Sequence, residues 1–169
     1  VFSDPTRGFL GVYDSQTVTV RDLTLDWHPL PFTQGTIENV TDDAGTITLA
    51  LEEGFPSLDA DHFEQGLNWA TLHYSATGRR TDTIHHDSVK HLASWEAQGG
   101  GRYEIEMAAG NSATGLKTGT TMGIVARQPH SAGLEISDTD SPTVSGVTLH
   151  TAPATAIKLA HDGAPVVRD

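Results

Sequence analysis

Gly11-Val-Tyr-Asp-Ser-Gln-Thr-Val-Thr-Val-Arg-Asp-Leu-Thr-Leu25 has a partner at Glu135-Ile-Ser-Asp-Thr-Asp-Ser-Pro-Thr-Val-Ser-Gly-Val-Thr-Leu149, at an ungapped offset of 124 residues. Asp14 falls on Asp138, Thr19 on Thr143, Val20 on Val144, Thr24 on Thr148 and Leu25 on Leu149. Val12 and Leu23 meet Ile136 and Val147, so the apolar positions repeat as well. A third copy begins at Val167-Arg168-Asp169, which repeats Val20-Arg21-Asp22 and lies 23 residues beyond Val144. Alternation of apolar and polar residues, rich in β-branched side chains, is the period of a half-buried strand. A fixed repeat of such strands means stacked units that bury one face against their neighbours.

A 23-residue period suits the turn of a parallel β-helix, with two or three short strands per turn. The larger offset then holds one period and an insertion of roughly 100 residues. The insertion is expected to leave after Trp27 and return near Ala132. Residues 1–27 and 132–169 therefore read as β-helix rungs, and residues 28–131 as a separate inserted domain. His28-Pro29-Leu30-Pro31 reads as a stiff exit from the first rung. Within the insertion the pattern predicts strands over Thr36–Val40, Thr46–Leu51, Ala70–Tyr74, Val89–Trp95, Arg102–Ala108 and Thr121–Arg127, and one short helix over Asp59–Leu67. Asp42-Asp43-Ala44-Gly45 fits a hairpin. Six antiparallel strands suit a small closed barrel, which hides its edges. The expected fold class is all-β.

The charge balance narrows function. Basic residues number 10 and acidic residues 22, a formal charge of −12. A nucleic-acid groove needs clustered Lys and Arg, and an anionic membrane needs the same, so neither is an expected partner. No cysteine is present, which excludes disulfides, thiol catalysis and Cys-ligated zinc. No apolar run approaches the ~18 residues of a membrane span.

The junction carries a resemblance. Val18-Thr-Val-Arg-Asp-Leu-Thr-Leu-Asp-Trp27 is followed by Pro29-Leu-Pro-Phe-Thr-Gln-Gly-Thr-Ile37. It resembles the strand–D-x-x-P-L-P-F-T-Q-G junction of right-handed parallel β-helix, pectate-lyase-like carbohydrate enzymes. Among these it is most similar to the inverting α-1,3-galactosidases whose β-helix carries barrel insertions. Val147-Thr-Leu-His-Thr-Ala-Pro-Ala-Thr-Ala-Ile157 resembles the rungs that follow such an insertion. The resemblance implies part of a secreted bacterial extracellular or cell-surface glycoside hydrolase acting on α-galactoside-type glycans. Its barrel would flank the substrate cleft, its partner would be an oligosaccharide or polysaccharide, and it would need no cofactor. Enzymes of this kind are several times longer. The chain therefore reads as a fragment, continued by further β-helix and inactive when isolated.

Candidate site residues come from the register. It stacks Asp14 on Asp138 and adds His161 one period further on; it also stacks Asp26 on His150. Strands that stack this way lie about 4.8 Å apart. Glycoside hydrolysis needs two carboxyl groups, about 5–5.5 Å apart for retention and about 6.5–9.5 Å for inversion. Asp14 and Asp138 form the candidate catalytic pair, with Asp140 and Asp162 as alternatives. The competing reading makes these aspartates solvated turn residues at strand ends. Trp27, His150 and His161 are the candidate substrate-binding residues, Trp27 because an aromatic face matches the C–H face of a pyranose. Trp69 reads as core.

Other chemistries fit less well. His85-His86-Asp87 and His91 form the densest histidine cluster, but His-Glu-x-x-His is absent. A spacing of five sets two strand residues on opposite faces, so the cluster reads as a polar loop and no metal site is assigned. Asp59, Asp61 and Glu64 lack the Asp-x-Asp-x-Asp-Gly calcium pattern. No Gly-x-Ser-x-Gly elbow occurs. A carbohydrate-binding module without catalysis and a structural β-solenoid piece remain as alternatives.

Overall fold

The structure is a computed structural model that describes residues 1, 3–41, 45–64, 68–74, 91–110, 113–128, 132–161 and 163–169. In chain order the elements are β1 (Leu10–Tyr13), β2 (Thr17–Leu25), β3 (Phe32–Thr41), β4 (Thr46–Leu51), α1 (Asp61–Glu64), β5 (Asn68–Tyr74), β6 (Leu92–Gly99), β7 (Arg102–Met107), β8 (Thr121–Arg127), β9 (Leu134–Ser137), β10 (Ser141–Leu149), β11 (Ile157–Ala160) and β12 (Val166–Arg168). They divide into one unit of Val1–Pro31 with Arg127–Asp169, and a second of Phe32–Ala126.

The first unit holds two parallel three-stranded sheets, ordered β1-β9-β11 and β12-β10-β2. Their registers are those of the repeat. Leu10–Tyr13 align with Leu134–Ser137, and Thr19 and Val20 with Thr143 and Val144. At the shorter spacing, Ile157 meets Leu134 and Val167 meets Val144. Leu134, Ile136 and Val144 form the buried centre, with Leu10, Val12, Val18, Val20, Val147, Ile157 and Leu159 packed on it. A one-residue slip would send each of these to the opposite face, so the apolar alternation fixes the pairing. β9 is flanked on both sides, which explains why all four of its residues are buried.

Three equivalent positions follow strands of the β1-β9-β11 sheet. Asp14, Asp138 and His161 end β1, β9 and β11 in the left-handed region, at φ of 51°, 55° and 58°. Asp and His tolerate this conformation better than most residues. A second equivalent pair, Asp22 (φ 54°) and Gly146 (φ 58°), bends β2 and β10 at one level. A Cβ at Gly146 would sit 3.0 Å from Asp22 Oδ1, so the glycine makes room for the aspartate there.

The second unit is an antiparallel sheet of order β5-β8-β3-β4-β7-β6. β7 alternates strictly, with Tyr103, Ile105 and Met107 buried and Arg102, Glu104 and Glu106 exposed. These side chains join Ile37, Ile47, Leu49, Phe63, Met122 and Ile124 in one core. Each such fully buried aliphatic side chain stabilises by about 1.5–3 kcal/mol relative to exposure. Gly35 lets β3 approach β4 closely, because a Cβ there would collide with the Ala50 carbonyl. Tyr103 Oη lies 2.6 Å from Ser57 Oγ and donates to Asp59 Oδ2 at 2.8 Å. Burial is the main reason its hydroxyl pKa lies above the usual tyrosine value.

The expected fold is corrected on both counts. Right-handed β-helix rungs would build a solenoid, but the described residues form two parallel sheets of three strands each, and no solenoid results. β9 and β10 are the central strands of these sheets, each flanked on both sides. Among the described residues the inserted sheet is a half-barrel whose strand order runs from β5 to β6. A closed barrel would pair β5 with β6, and no such ladder forms among the described residues. β6 carries exposed Ser94, Glu96 and Gln98, polar groups that blunt an open edge.

Candidate functional site

The β1-β9-β11 sheet brings three of the candidate residues into one row. Asp14 N–H donates to Ser137 O at 3.2 Å, and Asp138 N–H donates to Ala160 O at 3.0 Å. Each strand end thus hangs on its neighbour by the backbone, which leaves the side chains of Asp14, Asp138 and His161 exposed. His161 Nδ1 lies 3.7 Å from Asp138 Oδ1. The other Asp138 oxygen accepts from Ser137 Oγ at 3.2 Å. Ser137 is itself held by donation to Ala160 O at 3.1 Å.

Asp140 is exposed and outside this row. Its N–H donates to Ser15 O at 3.2 Å, and its carbonyl accepts from Ala164 N at 3.1 Å. Its main-chain role is therefore to tie the turn after β9 to the turns beside it. Asp162 lies outside the described residues. So do His85, His86 and Asp87 of the histidine cluster, and the side chain of Trp69.

His150 sits at the end of the other sheet, where its N–H donates to Leu25 O at 2.8 Å. Beside it, Asp26 Oδ1 accepts from Thr151 Oγ1 at 2.6 Å and from Trp27 N–H at 2.9 Å. The Thr151 hydroxyl is the first cause of a lowered Asp26 pKa, with the Trp27 N–H and the positive field of His150 adding to it. Thr151 takes a left-handed conformation, φ 49°. Such a conformation costs roughly 1–2 kcal/mol in a residue with a Cβ, and the bond to Asp26 offsets part of it. Asp26, Thr151 and His150 thus close the end of a sheet, away from the Asp14 row.

Trp27 is corrected from a sugar-stacking role to a structural one. It is 1% exposed, and its Nε1–H donates to Arg7 O at 3.0 Å. Gly133 makes room for the indole, since a Cβ there would lie 2.9 Å from Trp27 Cη2. A ring enclosed in this way offers no face to a ligand.

A polar cluster that the sequence reading missed lies on the same sheet as the Asp14 row. Gly11, Glu135 and Lys158 are register partners across β1, β9 and β11. They alternate with the core residues, so they occupy the sheet's other face. Glu135 is only 5% exposed, and its Oε1 accepts from Lys158 Nζ at 2.6 Å. The hydrogen bond to Glu135, followed by its charge, raises the Lys158 pKa. Tyr13 lies over Gly11 on the same face of the sheet. Its hydroxyl pKa is raised first by lost hydration, then by the charge of Glu135 and by the hydrogen bond to it. The signal was legible in principle, because Glu135 and Lys158 are opposite charges one 23-residue period apart.

Among the described residues no group of three or more His, Asp or Glu side chains is placed to hold a metal ion. No described helix is long and apolar enough to cross a membrane. No family model matches the sequence. A comparison with curated proteins likewise finds no match.

Proposed function

We propose that the chain acts on glycans of the α-galactoside type, as part of a secreted glycoside hydrolase, with Asp14 and Asp138 as the carboxyl pair. The observation that carries this reading is the row at the ends of β1, β9 and β11. Two exposed carboxylates occupy equivalent positions on neighbouring strands, and an imidazole faces the second at 3.7 Å. Neighbouring strands lie about 4.8 Å apart, and side-chain rotation from that base reaches the separations of either glycosidase mechanism. One carboxyl of the pair would protonate the leaving oxygen and the other would serve the anomeric carbon or its attacking water; His161 faces Asp138 Oδ1. The resemblance of the Asp26–Gly35 junction to α-1,3-galactosidases supplies the substrate class.

Calorimetric titration of the chain with α-1,3-galactobiose tests the reading. Saturable binding is expected, weakened about tenfold or more by Asp14→Asn and by Asp138→Asn, since a hydrogen bond to a charged group contributes about 1.5–3 kcal/mol. Binding that survives both substitutions would make the chain a glycan-binding module without this catalytic pair. Absence of binding would overturn the reading altogether.

A further inference from the structure

Ser137 ends β9 immediately before Asp138, and it is only 9% exposed. Its Oγ stands 3.2 Å from Asp138 Oδ2 and 3.1 Å from the Ala160 carbonyl oxygen at the end of β11. A hydroxyl carries a single hydrogen and can also accept. Toward an ionised Asp138 it donates that hydrogen to Oδ2. Toward a protonated Asp138 it accepts from the carboxyl and turns its own hydrogen to Ala160 O. The carboxyl thus keeps a partner in either protonation state, and the hydroxyl needs only to rotate. The other carboxylate oxygen, Oδ1, faces His161 Nδ1 at 3.7 Å.

The register makes this arrangement particular to Asp138. Ser137 aligns with Tyr13 on β1 and with Ala160 on β11. Alanine has no hydroxyl, and that of Tyr13 lies over Gly11. We infer that Ser137 is a positioning residue that fixes the Asp138 carboxyl within the row, with Oδ2 turned onto the sheet and Oδ1 left for substrate and His161. This rests on the glycan reading above and names the residue that orients one of its two carboxyls. Reacting groups must be held to within about 0.5 Å by neighbours whose own places are set by packing. A buried serine in the central strand of the sheet meets that need.

Two measurements on the full chain test the role. In the unaltered chain, the three-bond coupling between the Asp138 amide nitrogen and its carboxyl carbon should read a single side-chain rotamer. Ser137→Ala should move that coupling toward the average of a freely rotating side chain. Calorimetric titration with α-1,3-galactobiose should show about fivefold weaker binding for Ser137→Ala, the equivalent of one hydrogen bond. Ser137→Thr restores the hydroxyl and should bind within about twofold of the unaltered chain. An averaged coupling in the unaltered chain overturns the inference, whether or not the variants fold. Sugar binding that Asp138→Asn weakens but Ser137→Ala leaves unchanged also overturns it, and keeps the glycan reading standing. No binding by the unaltered chain overturns both.

Discussion

Replacing Trp27 separates a core indole from a ligand-binding one. The side chain is 1% exposed, meets Gly133 and donates to the Arg7 carbonyl at 3.0 Å. Trp27→Ala removes the packed ring and leaves a cavity, a change that costs about 3–5 kcal/mol in a core. Loss of the indole hydrogen bond adds about 1 kcal/mol. Trp27→Phe keeps one ring and loses the bond and part of the volume, for a total of about 2 kcal/mol. With a urea slope of about 2 kcal/mol per molar, the midpoint should fall by about 1 M for Phe and by about 2–3 M for Ala. Urea unfolding followed by far-ultraviolet circular dichroism reads these shifts. A parallel titration of the folded Phe variant with α-1,3-galactobiose should give an affinity within about twofold of the unaltered chain. A Phe variant with an unmoved midpoint and a tenfold weaker affinity would refute the reasoning, because it would put Trp27 in contact with sugar.

Gly133→Ala should destabilise by about 1–3 kcal/mol, since its Cβ would meet the Ala156 carbonyl at 2.8 Å and Leu149 Cδ2 at 2.7 Å. Gly123→Ala is the control: its nearest neighbour is 3.8 Å away, and paired urea melts should show a markedly smaller change. Asp26 gives a pH signature. Its folded pKa is lowered below 3.8, so its contribution is present above the unfolded pKa and is lost as pH falls through the folded value. Thermal melts between pH 5 and pH 2.5, about the range that brackets an aspartate, should show a steeper acid loss for the unaltered chain than for Asp26→Asn; equal slopes would remove the Thr151 bond from the account.

The sequence carried the pairing of the first unit because a gapless offset constrains every side chain at once. Asp14 with Asp138, and Val20 with Val144, follow from apolar positions that agree on both sides of them. Strand positions in the second unit were legible for the same reason: the alternation of Arg102–Met107 is nearly unbroken. What stayed hidden was closure. Periodicity marks each strand but carries no term for which edges meet, so the linear order ending in β5 and β6 could not be read from it. The depth of Trp27 was hidden as well, because it depends on a glycine more than a hundred positions away and on the carbonyl of Arg7. The left-handed positions of Asp14, Asp138 and His161 had a visible cue, since each residue type favours that region and each stands at the end of an apolar alternation.

The account stands on the row at the ends of β1, β9 and β11 being a glycan site. Carbon-13 carboxyl resonances of an aspartate-labelled chain, followed during addition of α-1,3-galactobiose, report on it residue by residue. Asp14 and Asp138 should move together along one saturation curve, while Asp59, bonded to Tyr103 in the second unit, stays still. Movement confined to other aspartates, or none at saturating sugar, would contradict the account.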